Sequence, residues 1–279
     1  MLEPRVSVVL PLFGDHRATQ VLPRVCRAWL AQDVPCEIVI GVGPDTEVPD
    51  LPDDRIRLVF ADQGPSAAGP LRNLAAAAAR GSTFYLGDAD IVPLGTDYLT
   101  RALELGRDRV VIQPWLYRLV DRSGTRDDLV LENPRFGRVC HVDAGPDGRL
   151  QPVGPERFLW QGRDCMIVEP PPGVGWNVRE GSPWFPPPYH WGGFLVERKL
   201  FDDVGGYCTI YSGWGCEDDD LIAKLEGRIE VMRAWRAARG LACLHFEHSR
   251  THTVTLPANQ EILARRLDRG VDAMIAEDR

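Results

Sequence analysis

Lysine is nearly missing from this sequence: of 32 basic residues in 279, only Lys199 and Lys224 are lysines, and no basic stretch compensates. With a formal net charge of −8 and a pI near 5.3, the chain lacks the positive field that holds a phosphate backbone or an anionic bilayer. No nucleic acid is expected among its partners. Also missing is any apolar run approaching the roughly 20 residues that span a bilayer, so no integral membrane segment is expected. Residues 1–6 lack the charged start and apolar stretch of a secretory leader, and the expected location is cytoplasmic. The seven cysteines are scattered without a CxxC pair, the usage of reduced thiols rather than a disulfide framework.

What remains is a globular composition, 44% hydrophobic, long enough for one large core or two small ones. Val6–Leu12 (VSVVLPL) is apolar without alternation, as in a strand covered on both faces of a parallel sheet. Val21, Val25, Ala28 and Trp29 share one side of a helix ending near 33–35, followed by strands at 37–42 and 56–61. The Ala-rich stretch 71–80 reads as a helix closed by Gly81, and Thr83–Leu86 as a fourth strand. This β-α-β-β-α-β series predicts an α/β fold, a mostly parallel central sheet with helices on both faces, whose ligands gather at the carboxyl ends of the strands. Residues 159–190, twice carrying PPP, read as a long loop or a lid. Beyond it, strands are expected at 193–196, 229–232 and 241–246, and helices at 217–226 and 259–268.

Three clusters carry chemistry. In FYLGDADIVPL, Asp88 and Asp90 follow a buried strand at i and i+2, and an extended backbone would project both carboxylates to one side. Such a pair suits a divalent ion that keeps open positions for phosphate oxygens, although a bare DxD is more often an acidic turn. In GWGCEDDD, Glu217, Asp218, Asp219 and Asp220 open a helix. The helix dipole favours acids there by a few tenths to about 1 kcal/mol each, but four crowded acids repel, and Trp214 between two glycines caps nothing. An indole beside carboxylates instead suits a sugar ring and its hydroxyls. In LACLHFEHSR, His245 and His248 can reach one ion if the strand ends between them, or be ordinary packed residues. Cys243 could join them and would favour zinc, whereas imidazole with carboxylate suits manganese.

In this order the three clusters resemble the GT-A glycosyltransferases, specifically the β-1,4-galactosyltransferase-like group and bacterial family 2 relatives. The strand ending in D-x-D, WGGFLVERKLFDDVGGY, GWGCEDDD and His248-Ser249-Arg250 carry the likeness; it spans residues 6–250, with 120–190 unmatched. The resemblance implies one GT-A catalytic domain over 1–279. A nucleotide-binding half would cover 1–118, a variable acceptor-side or lid region 119–190, and an acceptor and metal half 191–279. It further implies Asp90, His245 and His248 as ligands of Mn2+ (or Mg2+), His245 standing where the group often has methionine. Asp218 matches the catalytic base. Glu217, Asp219, Gly193 and Trp214 match positions that contact acceptor or sugar, and Cys216 replaces a glycine.

Donor contacts would come from Pro11, Phe13, Arg72, Asp88 and Trp214. Family 2 enzymes often place an acid pair after the second strand to read uracil; here Gly43-Pro44 precede Asp45, which leaves Asp62 for the base. The implied reaction is transfer, with inversion, of a hexose or N-acetylhexosamine, galactose-type favoured, from a UDP-sugar. The acceptor hydroxyl would belong to a carbohydrate, a small molecule or a glycoconjugate. Retaining transfer, or a carbohydrate-binding protein without turnover, would use the same fold.

Overall fold

The computed structural model describes residues 3–14, 18–62, 67–121, 138–139, 142–144, 150–152, 158–160, 163–169, 189–237, 241–246 and 253–279. Its main sheet has the strand order β14-β6-β13-β4-β1-β2-β3, built from β1 (Val6–Leu12), β2 (Cys36–Val42), β3 (Ile56–Phe60), β4 (Thr83–Leu86), β6 (Val110–Ile112), β13 (Phe194–Glu197) and β14 (Val231–Arg233). Only β13 runs against its neighbours. Both faces are covered, which is why β1 and β2 show no polar alternation. Val8, Leu10, Ile38 and Ile40 pack with Val21, Leu22, Val25 and Trp29 of helix α1 (Ala18–Leu30). Val9 and Val39 point the other way, to Ala75 and Ala76 of α2 (Ala68–Ala78) and to Leu221 and Leu225 farther along.

The second layer is a sheet of order β11-β12-β7-β15-β5: β5 (Ile91–Pro93), β7 (Trp115–Asp121), β11 (Phe158–Trp160), β12 (Arg163–Glu169) and β15 (Ala242–Phe246). Here the expected loop over 159–190 needs correction, because 158–160 and 163–169 are paired strands, β12 running antiparallel to β7 from Cys165 opposite Asp121 to Val168 opposite Arg118. The prolines that argued against regular structure lie at 170–188, outside the described residues. Among the described residues no helix is long and apolar enough to cross a membrane.

Helix α2 ends earlier than its alanines suggest. Ala79 is extended (φ −68, ψ 155), so Gly81 is no helix cap. Gly81 is glycine because a Cβ there would lie 2.7 Å from the Ser7 nitrogen. Gly41 is tighter still: a Cβ would fall 2.1 Å from the Leu71 carbonyl oxygen, so α2 lies directly on β2. Gly41→Ala must push α2 away, and with it Arg72. The expected cost is about 1–3 kcal/mol, read as a drop of several degrees in the thermal melt.

Candidate functional site

Strands β1, β2 and β3 end level, with Leu12 opposite Val42 and Val42 opposite Phe60. Gly43 N–H donates to Leu12 O at 2.8 Å and Ala61 N–H to Val42 O at 2.9 Å, which carries the same edge outward. Pro11 is buried within β1, opposite Gly41; Phe13 follows the strand, and a Cβ on Gly43 would lie 3.0 Å from its Cβ. Asp62 stands at this edge, exposed, two strands from Phe13.

Beside this edge, after β4, lies a cluster of charged side chains. Arg72, 1% exposed, is its hub. Its Nε–H donates to Gly87 O at 3.2 Å, Nη1–H to Asp218 Oδ1 at 3.2 Å, and Nη2–H to Asp88 Oδ1; Glu217 Oε1 lies 4.0 Å from Nη1. The guanidinium also sits 5.1 Å over the Tyr207 ring, whose hydroxyl donates to Asp218 Oδ1 at 3.2 Å. Asn73, the next residue, fixes that tyrosine by bonding both Tyr207 O (2.8 Å) and Tyr207 N–H (2.9 Å). One dipeptide of α2 thus positions two contacts to Asp218.

Asp88 and Asp90 do not share one direction. The chain turns after Leu86 instead of staying extended, Ile91 N–H reaching back to Asp88 O at 3.4 Å, so the two carboxylates take different partners. Asp88 accepts from Arg72 and meets His190 Nε2 at 2.9 Å; burial pushes its pKa up, but these two neighbours outweigh that and hold it at about 2. Asp90 turns to β15: its Oδ2 is 3.4 Å from His245 Nε2, and its carbonyl accepts the Phe246 N–H at 3.0 Å. The antiparallel pairing of His245 with Ile91 brings the two side chains together. His248 lies outside the described residues, and among the described residues no three or more His, Cys, Asp or Glu side chains are grouped so that they could hold a metal ion. Asp90 and His245 are nonetheless a carboxylate and an imidazole on adjoining strands, a donor set that fits a borderline divalent cation.

The four acids of helix α5 (Glu217–Glu226) have four different surroundings. Glu217 is buried and accepts from Gly215 N–H at 3.1 Å; burial raises its pKa. Asp218 lies between Arg72 and Tyr207. Its burial, with Glu217 and Asp88 nearby, prevails over the pull of Arg72 and raises its pKa to about 7. Asp219 accepts the Trp191 indole N–H at 2.9 Å. Asp220 is fully buried and binds Arg266 Nε at 2.6 Å, Tyr211 Oη at 3.0 Å and, at 3.6 Å, Lys224. It joins α5 to α7 (Leu256–Arg269) and takes no part in the Arg72 cluster.

The loop before α5 is wound in left-handed conformations: Gly213 (φ 64), Gly215 (φ 103) and Cys216 (φ 73). The last explains the glycine that the resemblance places at 216, since a side chain there costs on the order of 1 kcal/mol; the Cys216 side chain packs against Cys208 and Tyr211. Trp214 is 46% exposed, its N–H donating to Thr255 Oγ1 at 3.1 Å. Asn259, 1% exposed, clamps the loop by donating from Nδ2 to Ser212 O (3.0 Å), Trp214 O (3.2 Å) and Gly215 O (2.9 Å). Asn259→Ala is expected to cost about 1–3 kcal/mol, read as a lower melting temperature.

Gly192 packs against the Arg72 cluster: a Cβ would lie 2.8 Å from Arg72 Nη2 and 3.2 Å from Asp218 Oδ2. Gly193 has a packing reason of its own, because a Cβ there would meet His190 Nδ1 at 2.7 Å and Pro114 Cδ at 2.8 Å. His190, Tyr207 and Asn259 escaped the sequence reading. His190 adjoins the Trp-Gly-Gly that was noticed, but nothing local marks its partner 102 residues away.

Residues 185–248, which hold His190, Trp214, the acids of α5 and both histidines, match a family model described as the N-terminal domain of galactosyltransferase. No curated protein matches the chain in sequence. Among solved structures it is similar to the mannosyltransferase PcManGT from Pyrobaculum calidifontis in complex with GDP-Man and Mn2+, at 15% identity and TM-score 0.52, covering 95% of this chain and 65% of that one. It is also similar to S. aureus TarS 1-349 in complex with UDP-GlcNAc, at 13% identity and TM-score 0.52, covering 98% of this chain and 71% of that one. The chain therefore spans about two thirds of the length of these structures. It has the α/β GT-A fold of glycosyltransferases, with the mostly parallel central sheet expected from its first strands.

Proposed function

We propose that the chain is a glycosyltransferase that moves a hexose or N-acetylhexosamine from a UDP-sugar to an acceptor hydroxyl, with inversion. The observation that carries this reading is the buried cluster in which Arg72 spans Asp88, below a GT-A sheet edge, and Asp218, at the start of α5. The match of 185–248 to a galactosyltransferase model favours a galactose-type sugar.

In this reading Asp218 removes the proton of the attacking hydroxyl. Its pKa near 7 keeps a large ionised fraction at neutral pH while leaving it a competent base. Tyr207 and Arg72 fix its carboxylate, and the lack of a side chain at Gly192 lets the backbone approach it closely. Asp219 and Glu217 would receive sugar hydroxyls, and Trp214 offers an exposed apolar face. Asp88, held by Arg72 and His190, meets the ribose or the donor sugar, while Phe13, Pro11 and Asp62 surround the base. Asp90 and His245, with His248, would hold the cation, which when bound supplies positive charge against the departing diphosphate.

A panel of nucleotide sugars tested for Mn2+-dependent thermal stabilisation checks this. UDP-galactose or UDP-N-acetylgalactosamine is expected to raise the melting temperature by several degrees, roughly 2–4 °C per kcal/mol, and GDP-mannose by less. Absence of any shift across the panel would refute the reading.

A further inference from the structure

Next to Asp219 the structure assembles three aromatic rings that the transfer step does not use. Tyr189 forms an isolated bridge to Trp115 and stacks on Trp235, with centroids 5.2 Å apart and planes at 24°. It also tilts against Trp191, centroids 5.2 Å apart. Trp191 keeps 39% of its surface in solvent while its indole N–H is anchored on Asp219. Trp235 arrives from a distant part of the chain, its backbone N–H donating to Gln113 O at 3.0 Å, and carries the Arg236 guanidinium 5.0 Å over its ring. Asp219, Arg233 and Arg236 all act electrostatically on the Tyr189 hydroxyl; Arg233 is paired with Glu226.

Aromatic faces rimmed by a carboxylate and guanidinium groups match a pyranose, whose C–H faces stack and whose hydroxyls bond at the edge. The wall adjoins the reaction centre, since the residue after Trp191 is Gly192, whose backbone packs so close to the cluster that a Cβ would lie 2.8 Å from Arg72 Nη2 and 3.2 Å from Asp218 Oδ2. Trp214 is a separate surface, tied to Thr255 and Asn259. We propose that Tyr189, Trp191 and Trp235 form a second acceptor-sugar subsite, so that the acceptor is a glycan of at least two residues, its outer ring at Asp218 and the next on this wall. The proposal rests on the transferase reading above and narrows it.

Isothermal titration of the full chain with cellobiose, lactose and N,N′-diacetylchitobiose, each against its monosaccharides, tests it, with UDP and Mn2+ titrated separately. At least one disaccharide is expected to bind about tenfold tighter than its monosaccharides. Trp191→Ala, at an exposed ring, and Trp235→Ala should each bring that ratio close to one, and Trp235→Phe should keep most of it. If UDP binds but no disaccharide exceeds its monosaccharides, or if the ratio survives both alanine variants, the subsite is refuted. A disaccharide preference that depends on these rings in a chain that binds no UDP would keep the glycan subsite and remove the transferase; failure of both titrations removes both.

Discussion

Asp218→Asn is expected to lower turnover by about 10²–10⁴ while the affinity for nucleotide sugar stays nearly unchanged. Asparagine keeps the shape and can still accept from Arg72, which retains Asp88 and Glu217 as anionic neighbours, so no buried cation is left uncompensated. Only the proton acceptor is lost. The pH dependence follows from the same geometry. A base raised to about 7 makes kcat/KM climb with pH to a plateau above that value, and the variant should lose this limb.

Stability runs the other way. The folded pKa of Asp218 exceeds the ordinary 3.8, so this group's contribution is fully present below that value and is lost as pH rises through about 7. In metal-free protein Asp218→Asn should therefore melt higher than the parent at pH 8, with the difference shrinking as pH falls toward 4. If the variant kept most of its turnover, Asp218 would be only a positioning group.

Asp90→Ala should remove metal and nucleotide binding together. The side chain meets His245 at 3.4 Å, whereas the contact that holds the strand, Asp90 O to Phe246 N–H, belongs to the backbone and survives. The fold should hold. With free Mn2+ at a hundred times its Kd, the parent gains about 2.7 kcal/mol and the variant nothing, while turnover falls by a factor corresponding to several kcal/mol. Chelation of the parent should reproduce that loss of activity and Mn2+ should restore it; Mn2+ should not restore the variant. Equal Mn2+-dependent melting shifts in both proteins would remove Asp90 from the proposed ligand set.

The elements with the clearest sequence signal are those whose surroundings are uniform. Val6–Leu12, Thr83–Leu86 and Glu217–Glu226 match their expected bounds because unalternated apolar runs and a crowded acidic helix start depend little on distant partners. Of the second sheet only the strand at 241–246 is legible in advance. Ile91–Pro93 is short and ends on a proline, and Ala242–Phe246 takes one neighbour antiparallel and the other parallel from segments far away in sequence. A helix from Leu256 escaped at its start because Pro257 reads as a break, whereas proline is well tolerated in a first helical turn.

The site divides in the same way. Residue types and spacing marked Asp88, Asp90, Asp218 and His245, but not how the two carboxylates of the D-x-D separate, one toward Arg72 and His190 and the other toward His245. Nor does the acidic run disclose that Asp220 is a fully buried structural anion while Asp218, two residues earlier, faces Arg72 and Gly192. Those differences come from what packs against α5, namely Arg72 and Tyr207 on one side and Arg266 and Tyr211 on the other.

The most direct measurement is proton NMR of the complete reaction: the full chain, Mn2+, an α-linked UDP-sugar and a disaccharide acceptor, followed in one tube. Release of UDP together with a new β-anomeric proton showing a large axial coupling is the predicted result. A product that keeps the α configuration, or UDP release with only free sugar formed, would contradict it.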